Sequence, residues 1–172
     1  MTVLIPVRVE GVVVLPREQA PSMLLRETAG QGRQLAVVIG VPEAENLVNA
    51  LQQRKHGRPG TIELLDEVIN ALGSSLQGVS ITGLRDGIFI AALRLADGVT
   101  VSARPSDAIA LAVRSGAYIE VAEEVLEEAS VSITIFDETT GESPVPGADE
   151  GEIAQFRAEL DDITPDDFGT AS

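Results

Sequence analysis

Two Asp-Gly pairs constrain this chain more than any other feature. Asp86-Gly87 and Asp97-Gly98 separate three apolar runs, Val79–Leu84, Ile88–Leu95 and Val99–Ala103. Asp-Gly tolerates the positive φ values of tight hairpin turns, so the three runs read as an antiparallel meander. Pro105 follows at once and opens a helix over 105–115. Its body, Ala108-Ile109-Ala110-Leu111-Ala112-Val113, is apolar all round and is expected to be the most buried helix of the fold. Strands that must cover such a helix define an α+β domain, a mostly antiparallel twisted sheet with three to four packed helices.

The rest of the chain reads consistently with that core. Residues 3–15 form a first strand with a bulge or bend at Gly11, and Met23–Arg26 a second. Leu35–Ile39 is apolar on both faces and is expected near the centre of the sheet. Ala44, Leu47, Val48 and Leu51 recur at helical spacing, which predicts a helix over 43–54. Thr61 is the expected N-cap of a helix over 61–72, with Ile62, Leu65, Ile69 and Leu72 buried and Glu63, Glu67 and Asn70 toward solvent. Gly73 ends it. A strand at Tyr118–Val121, a short helix at Glu123–Ala129 and a final edge strand from Val131, Ile133 and Ile135 complete the domain.

With 172 residues, the chain has room for one domain and an appendage. The composition changes at Asp137, which divides it into a domain over 1–136, a flexible acidic linker over 137–151 and a short amphipathic helix with an acidic tail over 152–172. From Asp137 onward there are eleven acidic residues against Arg157 alone, a net of −10 out of the total of −15. The domain keeps sixteen acids and eleven bases, a mild −5 that leaves a nucleic-acid partner open. Ile153, Phe156 and Leu160 give the tail an apolar stripe, and with Phe168 they could engage a protein partner. No run approaches the ~20 apolar residues of a membrane span, and the N-terminus lacks a signal-peptide pattern, so a cytoplasmic protein is expected.

The chain has no cysteine and a single histidine, His56, set in the basic loop Arg54-Lys55-His56-Gly57-Arg58, where a structural or solvated role is expected. Thiolate chemistry and disulfides are excluded, and no phosphate-binding loop, dinucleotide fingerprint, paired-histidine motif or nucleophile elbow is present. Carboxylates, hydroxyls and arginines remain. Arg104 and Ser106 stand where the helix over 105–115 begins, and a helix N-terminus with its unpaired N–H groups makes an anion seat. Ser106 and Asp107 also suit plain capping.

The segment Arg104-Pro105-Ser106-Asp107-Ala108-Ile109-Ala110-Leu111-Ala112 resembles the signature of the bifunctional nuclease family, bacterial and plant domains credited with DNA and RNA cleavage. Val37–Ala44, Arg58-Pro59-Gly60-Thr61 and Leu84–Phe89 agree with it in order and spacing. The resemblance implies an α+β fold, a homodimer or higher oligomer, and a nuclease acting on DNA and/or RNA phosphodiester bonds. Similar sequences often read Thr-His-Asp where this chain has Thr61-Ile62-Glu63, so a residue able to act as general base or metal ligand is replaced by isoleucine. Cleavage would then lean on carboxylate-bound Mg²⁺ or Mn²⁺. Glu43, Glu45, Glu63, Asp66 and Asp107 are the acidic candidates, with Glu43, Glu63 and Asp107 the catalytic set and Glu43 and Asp107 the metal ligands. Arg58, Arg104 and Ser106 are the expected substrate contacts. The alternative is a non-catalytic binding or regulatory module that oligomerises and engages a protein through its acidic tail.

Overall fold

The structure, a computed structural model, describes residues 2–15, 19–54 and 57–133. Lys55, His56, the linker over 137–151 and the tail over 152–172 lie outside them, as does Ile135. The compact unit Met1–Ser132 is α+β, with eight strands and four helices among the described residues.

The chain builds two antiparallel meanders and joins them with one inserted strand. The first comprises β1 (Leu4–Val14), β2 (Pro21–Glu27) and β3 (Gln34–Val38). After α1 (Val41–Leu51) and α2 (Thr61–Ala71), the second comprises β4 (Leu76–Arg85), β5 (Ile88–Leu95) and β6 (Thr100–Ala103). Helix α3 (Pro105–Ser115) then leads to β7 (Tyr118–Ala122), which lies between the meanders, antiparallel to β1 and parallel to β4. Helix α4 (Glu123–Ala129) and the two-residue β8 (Ser130–Val131) close the unit. The strand order is β6-β5-β4-β7-β1-β2-β3-β8, antiparallel at every pairing but β4–β7.

The turns follow their residues. Asp86 and Gly87 have φ of 51° and 77°, a two-residue turn between β4 and β5 with both residues left-handed. At the second pair only Gly98 is left-handed, at 84°, and the Asp97 carboxylate accepts the Val99 N–H at 3.1 Å, closing a longer loop. The expected bulge in β1 is present: the register steps from Val9↔Leu25 to Gly11↔Leu24 and leaves Glu10 unopposed. Two more irregularities fall in β4, at Gln77 and Thr82.

Helix α3 is the centre of the core. Ile109 and Leu111 are fully buried, as are Ala108 and Ala112, and the helix packs on α1, α2 and strands β4 and β5. Pro105 occupies its first turn and Gly116, at φ 73°, stops it.

Three expectations are corrected. β3 is not central: it is next to last in the sheet, with only the two-residue β8 beyond it, and Val38 is 51% exposed. Its second apolar face lines a surface cleft instead of lying under another layer. Thr61 is the first helical residue of α2, whose N-cap is Gly60, and Glu63 reaches back to accept the Gly60 N–H at 2.8 Å. In α2 only Ile62 and Ile69 are buried, while Leu65 and the C-cap Leu72 are exposed together with Leu64 and Val68, because α2 lies outside α3 with no layer beyond it among the described residues.

Candidate active site

The curvature of the sheet makes the site. Laid flat, β6 and β3 would stand roughly 29 Å apart at ordinary strand spacing. Yet Ser102 and Ala103 of β6 and Ala36–Val38 of β3 line one cleft of about 930 Å³, so the sheet bends its two ends toward each other. The bulges in β1 and β4 supply such bending. The cleft is completed by Gly87–Ile90, by Gly40 and Glu43 at the start of α1, and by Arg104, Pro105 and Ser106 at the start of α3.

Arg104 is the hub of this mouth. It is the N-cap of α3, and its Nε and Nη2 donate to Asp107 Oδ2 and Oδ1 at 2.7 and 3.1 Å, a two-pronged contact within the first helical turn. Its Nη1 donates to Glu43 Oε1 at 3.0 Å. Asp107, and after it Glu43, hold the guanidinium more firmly protonated than usual. Glu43 sits in the first turn of α1, where a carboxylate is favoured by the helix dipole. A Cβ built on Gly40 would clash with Glu43 Oε2, so the absence of a side chain at position 40 lets the carboxylate lie there. The Gly40 backbone itself is ordinary, at φ −73°.

The structure therefore brings together Glu43, Arg104, Ser106 and Asp107 and separates the other candidates from them. Glu63 does not face solvent: it is half-buried and paired with Arg114 of α3, beside a small cavity lined by Asn46, Asn49 and Ile62. Arg114 also donates from Nη1 to the Arg54 carbonyl at 2.8 Å, tying the exit of α1 to α2 and α3. Ile62 is buried in the core and borders that same cavity, so the departure from Thr-His-Asp leaves the groups of the larger cleft untouched. Arg58 and Glu45 are exposed and Asp66 is half-buried on α2; none of them lines the cleft. His56 lies outside the described residues. Phe89 and Gly40 belong to the site although the sequence reading assigned them no role there. Val37–Ala44 and Leu84–Phe89 carried the available signal, since both segments follow the family pattern.

Among the described residues no three His, Asp or Glu side chains stand close enough to hold a metal ion. Glu43 and Asp107 are the two carboxylates nearest the cleft mouth, and both are engaged by the Arg104 guanidinium. No helix among the described residues is long and apolar enough to cross a membrane.

A curved, mostly antiparallel sheet around a buried helix, with a charged cluster where that helix starts, is the class that fold and site define. The chain belongs to the bifunctional nuclease domain family, whose model matches residues 23–134. It is also similar to the uncharacterized proteins MT1877 and Rv1829 of Mycobacterium tuberculosis, strains CDC 1551 / Oshkosh and ATCC 25618 / H37Rv. Each is 39% identical over 162 residues, covering 94% of this chain and 96% of the relative. The matched segment contains every residue of the cleft.

Proposed function

We propose that the cleft is a nuclease site acting on phosphodiester bonds of DNA and/or RNA, with Mg²⁺ or Mn²⁺ held by Glu43 and Asp107. The observation that carries this reading is the convergence of Glu43 and Asp107 on Arg104 at the mouth of a cleft, in a chain of this family. The ion, when bound, would neutralise phosphate charge and orient water. The protein's own part is positioning. Asp107 fixes Arg104 through two parallel bonds, so the guanidinium is presented to a phosphate oxygen without further ordering. Ser106 lines the same cleft, and its backbone N–H with that of Asp107, the first that α3 offers after Pro105, suits the same anion.

A second reading has an observation of its own. Both carboxylates are already engaged by Arg104, which makes the cluster complete as an ion-pair device without a metal. A non-catalytic binding module would need no more. Cleavage of single- and double-stranded DNA and RNA, with and without Mg²⁺ or Mn²⁺, separates the two. The nuclease reading expects metal-dependent products that vanish in Asp107→Asn, and the module reading expects binding without products.

A further inference from the structure

The larger cleft sets one aromatic ring and an aliphatic wall beside a single arginine. Phe89 and Tyr118 are the two aromatic residues among the described positions, and Phe89 lies in this cleft while Tyr118 borders a separate groove. Val37, Ile39, Ile88, Ile90 and Ala103 extend the apolar lining around it. Among the described residues that line the cleft, Arg104 is the one cation, and it stands at the α3 N-terminus. It is shared by two carboxylates, so the three groups together carry a net charge of −1.

That distribution is the reverse of what a duplex requires. Double-stranded DNA hides its base faces in its own stack and presents rows of phosphates, which proteins meet with many Lys and Arg side chains. An unstacked base instead offers a π face that an aromatic ring can cover, and a single phosphate needs a single cation. We infer that the cleft takes single-stranded nucleic acid, with one phosphate at Arg104 and the α3 N-terminus and a neighbouring base laid against Phe89 and the aliphatic wall. This rests on the nucleic-acid reading of the cleft and narrows its substrate class. The base supplies most of the affinity, because Glu43 and Asp107 oppose the phosphate.

The test is binding of the full-length chain to a short labelled oligonucleotide, to the same strand annealed to its complement, and to an abasic strand of equal length. Fluorescence anisotropy is the readout, with strand integrity checked on gels. The base-bearing single strand is expected to bind about 5- to 100-fold more tightly than the other two, the range that stacking of one base provides. Its affinity is expected to fall with salt at a log–log slope of about −0.7, the value for one phosphate. Phe89→Leu keeps the apolar volume and is expected to lower single-strand affinity to the abasic level, while Phe89→Tyr restores it. Equal binding of all three nucleic acids, or a Phe89→Leu variant that melts like wild type and binds unchanged, overturns the inference and leaves the cleft reading standing. Absence of binding to any of the three, or binding that Arg104→Gln does not alter, overturns the cleft reading itself.

Discussion

Arg104 Nη1 stands 3.0 Å from Glu43 Oε1, a contact that joins the first turns of two helices across 61 residues of sequence. Both side chains belong to the mouth of one cleft, and the Arg104 side chain keeps most of its surface open to solvent. A pair so exposed adds little to stability. Its effect is to fix where the guanidinium points, which is why substitutions here are expected to change function more than melting temperature.

Gly40→Ala tests the placement of Glu43 without touching a charged group. The added methyl would clash with Glu43 Oε2, at the far end of a flexible side chain, so the carboxylate has to shift from its position beside Arg104. Alanine is compatible with φ −73°, so backbone strain is not the cause. The variant is expected to melt close to wild type and to lose activity to the same extent as Glu43→Gln. Retained activity would show that the Glu43 position is not required.

Glu63 and Arg114 are expected to behave in the opposite way. Their side chains are 15% and 13% exposed, and they tie α2 to α3 while Arg114 also holds the Arg54 carbonyl. Removing one partner leaves a half-buried charge without its counterion, at a cost of about 1–3 kcal/mol, between the surface and buried limits. Glu63→Ala should therefore lower the denaturation midpoint while cleft-dependent binding persists in the folded fraction. A Glu63→Ala variant with wild-type stability and no activity would instead return Glu63 to the catalytic set.

Acid should unfold the domain through its buried carboxylates. Arg33 holds the Glu27 carboxyl below its usual range through a side-chain hydrogen bond of 2.7 Å, against the opposing effect of burial. Burial pushes Glu10 up, but hydrogen bonds from Arg26 and Gln34, with the Arg26 charge, outweigh it and leave its pKa lowered. A depressed folded-state pKa means that the stabilisation is fully present above the unfolded value, about 4.3 for Glu, and is lost as pH falls through the folded value. Stability against urea is expected to decline below about pH 4.3 and to decline less steeply in Glu27→Gln. An equal slope in the variant would remove Glu27 from the explanation.

The sequence reading succeeded where local chemistry decides. Asp86-Gly87 specified its turn, and Pro105 with the apolar run to Val113 specified the buried helix, because φ restrictions and burial are written into those residues. It missed where the outcome depends on distant partners. Periodicity identified Leu65 and Leu72 as apolar, but only the packing of α2 outside α3 shows that they stay exposed among the described residues. The apolar faces of β3 suggested a central strand, whereas one of them lines a cleft made by the far end of the sheet. Glu43, Arg104 and Asp107 were legible as candidates through the family resemblance. Their meeting was not, since it depends on α1 and α3, far apart in sequence, packing against each other in the fold.

Glu43 and Asp107 are proposed to make the cleft a metal-dependent nuclease site. The most direct measurement is the initial rate at which highly purified full-length protein cleaves a single-stranded oligonucleotide in Mn²⁺, beside Glu43→Gln and Asp107→Asn purified identically. Wild type is expected to cleave in a way that chelation abolishes, and both variants to cleave at rates at least about 100-fold lower, the usual scale for losing a positioned catalytic group, with unchanged melting curves. Cleavage at the wild-type rate in either variant, or none by wild type in Mg²⁺ or Mn²⁺, would contradict the proposal.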